Sequence, residues 1–332
     1  MLFDDTINQH FISQVELRAN TSTPSLPNKN KKIYAFDIDK KSEGEKVYKP
    51  KNVRIANNLL IHDLFTVNNE DSLRQNLERL FQNYETRLNS VIIEFERKIS
   101  EGKNNISDEL FSILSLKLLN SFRNPYTIKK TLNTLGSIGN YSPTSPELRR
   151  LYKVVSSGNK PQKEKILSLL NITEDEYCQW LRCLFMLLAV KIDNEDNILE
   201  SMLENILIGD DSAAGVALYR YQKNNGILIC DRGIIDRTET PGTFVFDINI
   251  NSRMFMRFVS RNIKSLRPEK INIDFYNKAV DLYNKRPKSV DMFIFDDEMD
   301  ILENYNQCAV LQAAHKVYCS TPKIHGVEII EI

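Results

Sequence analysis

The spacing of apolar residues divides the chain into a helical middle and β-rich ends. Between positions 71 and 208, apolar residues recur every three or four positions, which is the period of one helix face. Ser145 followed by Pro146, and Thr173 followed by Glu176, have the chemistry of helix starts. The spacing predicts helices over residues 71–102, 108–122, 146–155, 161–170 and 174–191.

The segments on either side are typical of strands, because short runs of aromatic and β-branched residues are bounded by turn-forming residues. They predict strands over residues 33–38, 216–222, 227–231, 243–250, 290–295 and 327–330, with helices over 274–285 and 297–318. Asn225-Gly226 stands between two of these strands and predicts a hairpin turn.

Together these elements predict an α+β fold: a largely helical middle block with a mixed or antiparallel sheet built from N- and C-terminal segments. A chain of 332 residues can bury a sizeable core, and we expect one large domain over residues 1–332. Its sub-blocks are 1–70 with an opening motif and a strand, 71–208 with the helices, and 209–332 with β segments and a terminal helix.

Charge and cysteine content narrow the class of protein. Lys plus Arg equals Asp plus Glu at 44 each, so no overall field draws the protein onto nucleic acid or a membrane. The five cysteines never form Cys-x-x-Cys, which argues against a disulfide framework and a closed zinc site. The longest apolar run has seven residues, whereas a bilayer span needs ~20. We therefore expect a cytoplasmic protein without membrane association.

The opening stretch carries the first candidate chemistry. If it is helical, His10, Gln14 and Arg18 lie one turn apart on one face. A histidine can act as a general base or a metal ligand near neutral pH, and the alternative is a surface or capping histidine. On the long helix, Glu85 is either an active carboxylate or part of a solvated face. Arg123 stands at the end of a predicted helix. Its cation either interacts favourably with the helix dipole or binds a phosphate or carboxylate.

Two candidates come from the second half of the chain. Asp231 follows the apolar run 227–230, and strand ends are places where ligands and catalytic groups gather; the alternative is a turn cap. Asn306 stands in the apolar stripe of the terminal helix, so its amide faces the interior and must find partners. A structural role that holds a strand end is the stronger interpretation of Asn306.

The order of residues His10-Phe11-Ile12-x-Gln14-x-x-Leu17-Arg18 resembles the opening signature of the family known as domain of unknown function 4238. Ser13 stands where that family usually has proline. Weaker similarities follow at 118–125, at Asp231 and at Asn306, although Asp231 keeps only the aspartate of the family's Thr-Ser-Asp-x-Pro element. The resemblance implies a bacterial cytoplasmic protein, related to members found among antiphage defence genes, and it brings no established mechanism.

Two hypotheses follow. The first is a defence effector with hydrolase or nuclease activity, acting on nucleic acid or a small phosphorylated ligand, with a divalent metal as a candidate cofactor. Its candidate partners include a second copy of the chain and a product of a neighbouring gene in the operon. The predicted catalytic residues are His10, Asp231 and Glu85, and the predicted binding residues are Gln14, Arg18, Arg123 and Asn306.

The second hypothesis is a non-catalytic binding or sensing module. In that case His10, Gln14, Asp231 and Asn306 form a structural polar network that ties the N-terminal segment to the C-terminal sheet. The two hypotheses differ in geometry. A cleft shared by His10 and Asp231 favours the enzyme, and their separation or burial in the core favours the module.

Overall fold

A computed structural model describes residues 2, 5–40, 45–69, 73–103, 105–192, 196–266, 272–285 and 290–331. The helices are α1 (Gln14–Ala19), α2 (Glu78–Ser100), α3 (Ser107–Phe122), α4 (Ile128–Leu135), α5 (Pro146–Ser157), α6 (Lys163–Leu170), α7 (Glu174–Ala189), α8 (Ile198–Ile208), α9 (Ile273–Asn284) and α10 (Met299–Gln312). The strands are β1 (Asn8–His10), β2 (Lys32–Asp37), β3 (Lys46–Tyr48), β4 (Lys51–Arg54), β5 (Leu60–His62), β6 (Thr66–Asn68), β7 (Arg74–Asn76), β8 (Ser212–Arg220), β9 (Ile229–Cys230), β10 (Ile235–Asp236), β11 (Thr243–Asn251), β12 (Met254–Asn262), β13 (Asp291–Asp296), β14 (Lys316–Cys319) and β15 (Glu328–Ile330).

Helix α7 forms the centre of the helical block and packs against α4, α5, α6 and α8. Its apolar residues are buried nearly all round, as expected for a helix enclosed by others. The predicted capping box is present, because the Thr173 hydroxyl accepts the Glu176 N–H and the Glu176 carboxylate accepts the Thr173 N–H. Helices α2 and α3 pack against each other beside this centre and carry part of the candidate site.

Two larger sheets flank the helices and confirm the predicted α+β fold. One has the strand order β10-β11-β12-β8-β13, antiparallel except for the parallel β8–β13 pair. The other has the order β4-β2-β14-β9 and is antiparallel throughout. In this second sheet N-terminal strands lie beside C-terminal strands, as the sequence predicts.

The predicted hairpin around Asn225-Gly226 is wrong. Strand β9 pairs with β14, whereas β8 pairs with β12 and β13. Asn306 on α10 donates to the Gly226 carbonyl and accepts the Leu228 N–H, which draws the chain away from β8. Gly226 has φ +78°, and a Cβ there would lie 2.4 Å from the Lys323 carbonyl oxygen, so this close approach requires glycine.

Two predicted helix boundaries are also wrong. The long helix begins at Glu78 rather than at 71, because residues 74–76 form β7 and the Asn76 side chain accepts the Glu78 N–H; residues 70–72 lie outside the described residues. The terminal helix ends at Gln312 instead of continuing to 318, and β14 follows it. Strand β12 and helices α4 and α8 were not predicted as separate elements.

Within the described residues, none of the helices combines the length and the apolar character that crossing a membrane requires. The five cysteines are all free thiols.

Candidate functional site

The opening motif is a strand followed by a short helix, so the condition that His10, Gln14 and Arg18 share one helix face is not met for His10. His10 ends β1, where it is the register partner of Leu60 in β5, and the Ser13 hydroxyl caps α1 by accepting the Val15 N–H. The three polar residues nevertheless lie in contact. Gln14 Nε2 lies 2.8 Å from His10 Nε2, and Arg18 Nη2 donates to Gln14 Oε1.

These contacts determine the protonation of His10. A guanidinium can only donate, so the oxygen of the Gln14 amide must face Arg18 and its nitrogen must face His10. His10 Nε2 therefore accepts, and the ring is neutral with its proton on Nδ1. Burial, followed by the charge of Arg123, lowers the pKa of His10 from 6.5 to about 4, against opposing effects of the Asn58 backbone and Glu85.

The end of α3 brings a second arginine to this histidine. Arg123 is fully buried, and its Nη2 donates to Glu85 Oε1 at 2.5 Å and to Asn120 Oδ1 at 2.8 Å. The guanidinium carbon lies 4.8 Å from the centre of the Phe81 ring. Glu85 projects from α2 with a partly exposed carboxylate, and its charge acts on both His10 and Arg18. His10, Gln14, Arg18, Glu85 and Arg123 form one group, which we call the His10 cluster.

A buried ion pair is joined to the His10 cluster by hydrogen bonds through Asn120. Lys117 of α3 donates to Glu16 of α1, and the Asn120 amide donates to the other Glu16 oxygen at 2.7 Å. Asn120 also accepts from Arg123, so the bonds run continuously from α1 to the end of α3. Glu16, Lys117 and Asn120 are not among the site residues that the sequence predicts. The available signal was a lysine inside the apolar helical run 113–119, because such a charge requires a buried partner.

The His10 cluster contains hydrogen-bond donors that its own residues do not satisfy. Among the described residues, Arg18 Nε and both Nε and Nη1 of Arg123 are buried and have no hydrogen-bond partner. His10 Nδ1 also lacks a partner in hydrogen-bond geometry, although the nearby Asn58 backbone favours the protonated ring. Since buried polar groups are nearly always bonded, four such atoms in one group are unusual.

Asp231 is not part of the His10 cluster. It follows β9, is buried, and accepts the backbone N–H groups of Ala314, His315 and Lys316 at 2.7, 2.7 and 2.9 Å. Burial raises the pKa of Asp231, and these three donors oppose that shift. Its carboxylate joins the end of α10 to the start of β14, and the charges acting on His10 come from Arg123, Glu85 and Arg18.

The Asn306 side chain also forms hydrogen bonds with backbone groups. Its side chain accepts the Leu228 N–H at 3.1 Å and donates to the carbonyls of Gly226 and His325 at 3.1 and 3.0 Å. The amide is fully buried and uses its oxygen and nitrogen on strand ends. This arrangement suits the structural interpretation of Asn306.

A family model described as "Protein of unknown function (DUF4238)" matches residues 8–174, half of the chain. The chain belongs to the DUF4238 family. The span that matches the DUF4238 model contains every residue of the His10 cluster together with Glu16, Lys117 and Asn120, whereas Asp231 and Asn306 lie beyond it. No curated protein and no solved structure matches the chain significantly.

The donor set favours anions over cations as ligands. In the part of the chain that the structure describes, no group of three or more His, Cys, Asp or Glu side chains could hold a metal ion. The His10 cluster instead offers two guanidinium groups and a neutral histidine against one carboxylate. Arginine donors of this kind match the oxygens of a phosphate or carboxylate.

Proposed function

We propose that this DUF4238 protein is a binding module for a phosphate-bearing small ligand, recognised at the His10 cluster. The observation that supports the proposal is the set of three buried guanidinium nitrogens on Arg18 and Arg123 that have no acceptor among the described residues. Phosphate oxygens accept charge-assisted hydrogen bonds from such donors, and arginine presents the donors in a fixed planar fork.

The charge balance supports the same ligand. Glu85 neutralises only one of the two guanidinium groups, and Lys117 and Glu16 neutralise each other. The cluster therefore carries an excess positive charge in a partly desolvated position, where an anion interacts more strongly than in water. Arg18 also lines an open cleft, so a ligand can approach this member of the cluster from solvent.

The positions of Asp231 and Asn306 favour a module over an enzyme that uses Asp231. Both side chains form hydrogen bonds with backbone groups of the C-terminal region. The two oxygens of Asp231 already accept three backbone N–H donors, so taking up a substrate proton would cost that carboxylate at least one of these bonds.

Phosphate binding tests the proposal through His10 itself. A phosphate beside the ring cancels the repulsion from the arginines, so the His10 pKa should rise from about 4 when inorganic phosphate is added. NMR of the histidine ring carbons measures this shift, with His10→Asn for assignment. Arg18→Gln should weaken phosphate binding about tenfold in calorimetry, since it removes charge-assisted hydrogen bonds.

The control is Arg150→Gln, which removes an exposed arginine of α5 and should leave phosphate affinity unchanged. A His10 ring that titrates identically with and without phosphate contradicts the proposal. Equal affinity in wild type and Arg18→Gln contradicts it as well.

Hydrolysis of a phosphate ester, including nuclease activity, is the second candidate function. The observation in its favour is that His10 is unprotonated at physiological pH and feels the Glu85 charge, since a general base must start unprotonated; its pKa of about 4 makes it a weak base. Cleavage of total RNA and plasmid DNA, with and without Mg²⁺ or Mn²⁺, tests this function. We expect any activity to be lost in folded His10→Ala, and no cleavage in wild type excludes the nuclease. A role in antiphage defence stays a prediction from the family resemblance.

A further inference from the structure

A cleft of about 750 Å³ opens beside the His10 cluster and shares Arg18 with it. Its walls come from α1, from α2, from the chain before β2, from the end of β8 and from the turn between β11 and β12, and Asn224 and Ser320 complete the lining. The cations along it are Arg18, Lys31, Arg220 and Arg253, and the acidic residue in its lining is Glu96. We call it the Arg18 cleft.

The charges of the Arg18 cleft differ in how far they are already neutralised. Arg220 makes two hydrogen bonds of 2.9 Å to Asp296. Within the described residues, Lys31 and Arg253 form no ion pair, and Arg253 is exposed. Glu96 accepts from the Asn251 amide, and burial raises its pKa while Asn251 and the charge of Arg253 oppose that rise. Three cations therefore stay available to a ligand: Arg18, Lys31 and Arg253.

Aromatic stacking contributes little in this cleft. Tyr221 is the aromatic residue of the lining, and it is 3% exposed with its hydroxyl donating to the Glu298 carbonyl. Proteins that hold nucleobases in a groove usually stack them on exposed aromatic side chains. The Arg18 cleft offers charge and polar side chains instead, so it suits the phosphates of a ligand better than its bases.

We propose that the Arg18 cleft binds a chain of two or more phosphates, with one phosphate at Arg18 and the others at Lys31 and Arg253. This inference rests on the proposed function, since it extends the single phosphate of the His10 cluster to a phosphate chain. Inorganic polyphosphate, a nucleoside triphosphate and a nucleic acid backbone share this chemistry.

Calorimetry with tripolyphosphate tests the inference on the full chain. The double variant Lys31→Gln/Arg253→Gln should weaken tripolyphosphate binding at least about tenfold, because two charge-assisted contacts are lost. The matched control is Lys51→Gln/Arg150→Gln, which changes net charge equally at exposed positions outside the cleft lining. Binding of inorganic phosphate and its effect on the His10 pKa should be the same in both double variants.

Further ligands identify the source of the phosphates. ATP without metal should bind about as tightly as tripolyphosphate, because the cleft offers no exposed ring for the base. A short oligothymidylate that binds more tightly than ATP, with the same dependence on Lys31 and Arg253, supports the inference with nucleic acid as the source. If ATP binds far more tightly than tripolyphosphate, the cleft also recognises the nucleoside, and the inference that it binds through phosphates alone is wrong.

Failure of the inference is separable from failure of the proposed function. If phosphate still raises the His10 pKa but tripolyphosphate binds equally to the two double variants, the inference about the Arg18 cleft is wrong and the proposed function stands. If phosphate neither binds to the protein nor changes the His10 pKa, the proposed function is wrong, and the inference is wrong with it.

Discussion

His10 owes its neutrality to residues distant in sequence more than to its neighbours. Burial removes water from the ring, and Arg123 at the end of α3 repels the imidazolium form. Arg18 adds to this repulsion, and the Gln14 amide supplies a donor that only the neutral ring can use. One carboxylate, Glu85, opposes them. The balance favours a neutral histidine poised next to guanidinium groups, which is a sensitive reporter of any anion that binds there.

The depressed pKa of His10 makes stability depend on pH in a defined window. Between about 4 and 6.5 the unfolded chain binds a proton at this residue that the native protein does not. Stability therefore rises with pH across this window and falls as the pH is lowered through it. A shift from 6.5 to about 4 corresponds to a loss of about 3 kcal/mol below the window. Urea unfolding at several pH values should show that His10→Asn reduces this slope.

The matched variant is His62→Asn, which alters an exposed histidine of β5 and should leave the slope of wild type unchanged. A slope that His10→Asn does not alter would show that His10 titrates normally in the native protein.

At the scale of elements, the junction between α10 and β14 depends on one buried carboxylate. Asp231 accepts three successive N–H groups, those of Ala314 and His315 between the helix and the strand and that of Lys316 at the first residue of β14. Without it, these three donors would lose their side-chain acceptor, and the Ala314 N–H would be buried without one. Asn306 has a similar role just before β9, where its side chain accepts the Leu228 N–H.

Asp231→Asn tests this structural role. An amide replaces one acceptor oxygen by a donor, so at least one N–H loses its partner and the charge assistance is gone. We expect a loss of about 3 kcal/mol in the free energy of unfolding. Asp296→Asn, at an exposed ion pair with Arg220, should cost less than about 1 kcal/mol in the same urea titration. Unchanged stability of Asp231→Asn would return Asp231 to the catalytic candidates.

The elements predicted correctly are those whose signal is local. Helices α3, α5 and α7 follow from periodicity and from starts such as Pro146 and the Thr173 capping box. The pairing of β9 with β14 could not be predicted, because it is decided by Asn306 and Asp231 across long stretches of chain. The same holds for the site: Gln14 and Arg18 neighbour His10 in sequence, whereas Arg123 reaches it only through tertiary packing.

At the scale of the whole molecule, N- and C-terminal segments complete each other's sheets. Strand β14 lies between β2 and β9, and β15 pairs in parallel with β3. The α1 helix contacts β11 and α2, which links the opening motif to both the large sheet and the helical block. The predicted organisation as one domain therefore implies that distant parts unfold together.

A fluorescence experiment tests this coupling, because the single tryptophan, Trp180, is buried in α7 of the helical block. Val317 is fully buried in β14, and Val317→Ala should cost about 2 kcal/mol by removing core methyl groups. If the molecule unfolds cooperatively, the urea midpoint reported by Trp180 falls together with the one reported by circular dichroism. Leu311→Ala, at an exposed position of α10, should move neither midpoint appreciably. A Trp180 midpoint that Val317→Ala does not change would mean that the helical block is stable without the C-terminal sheet.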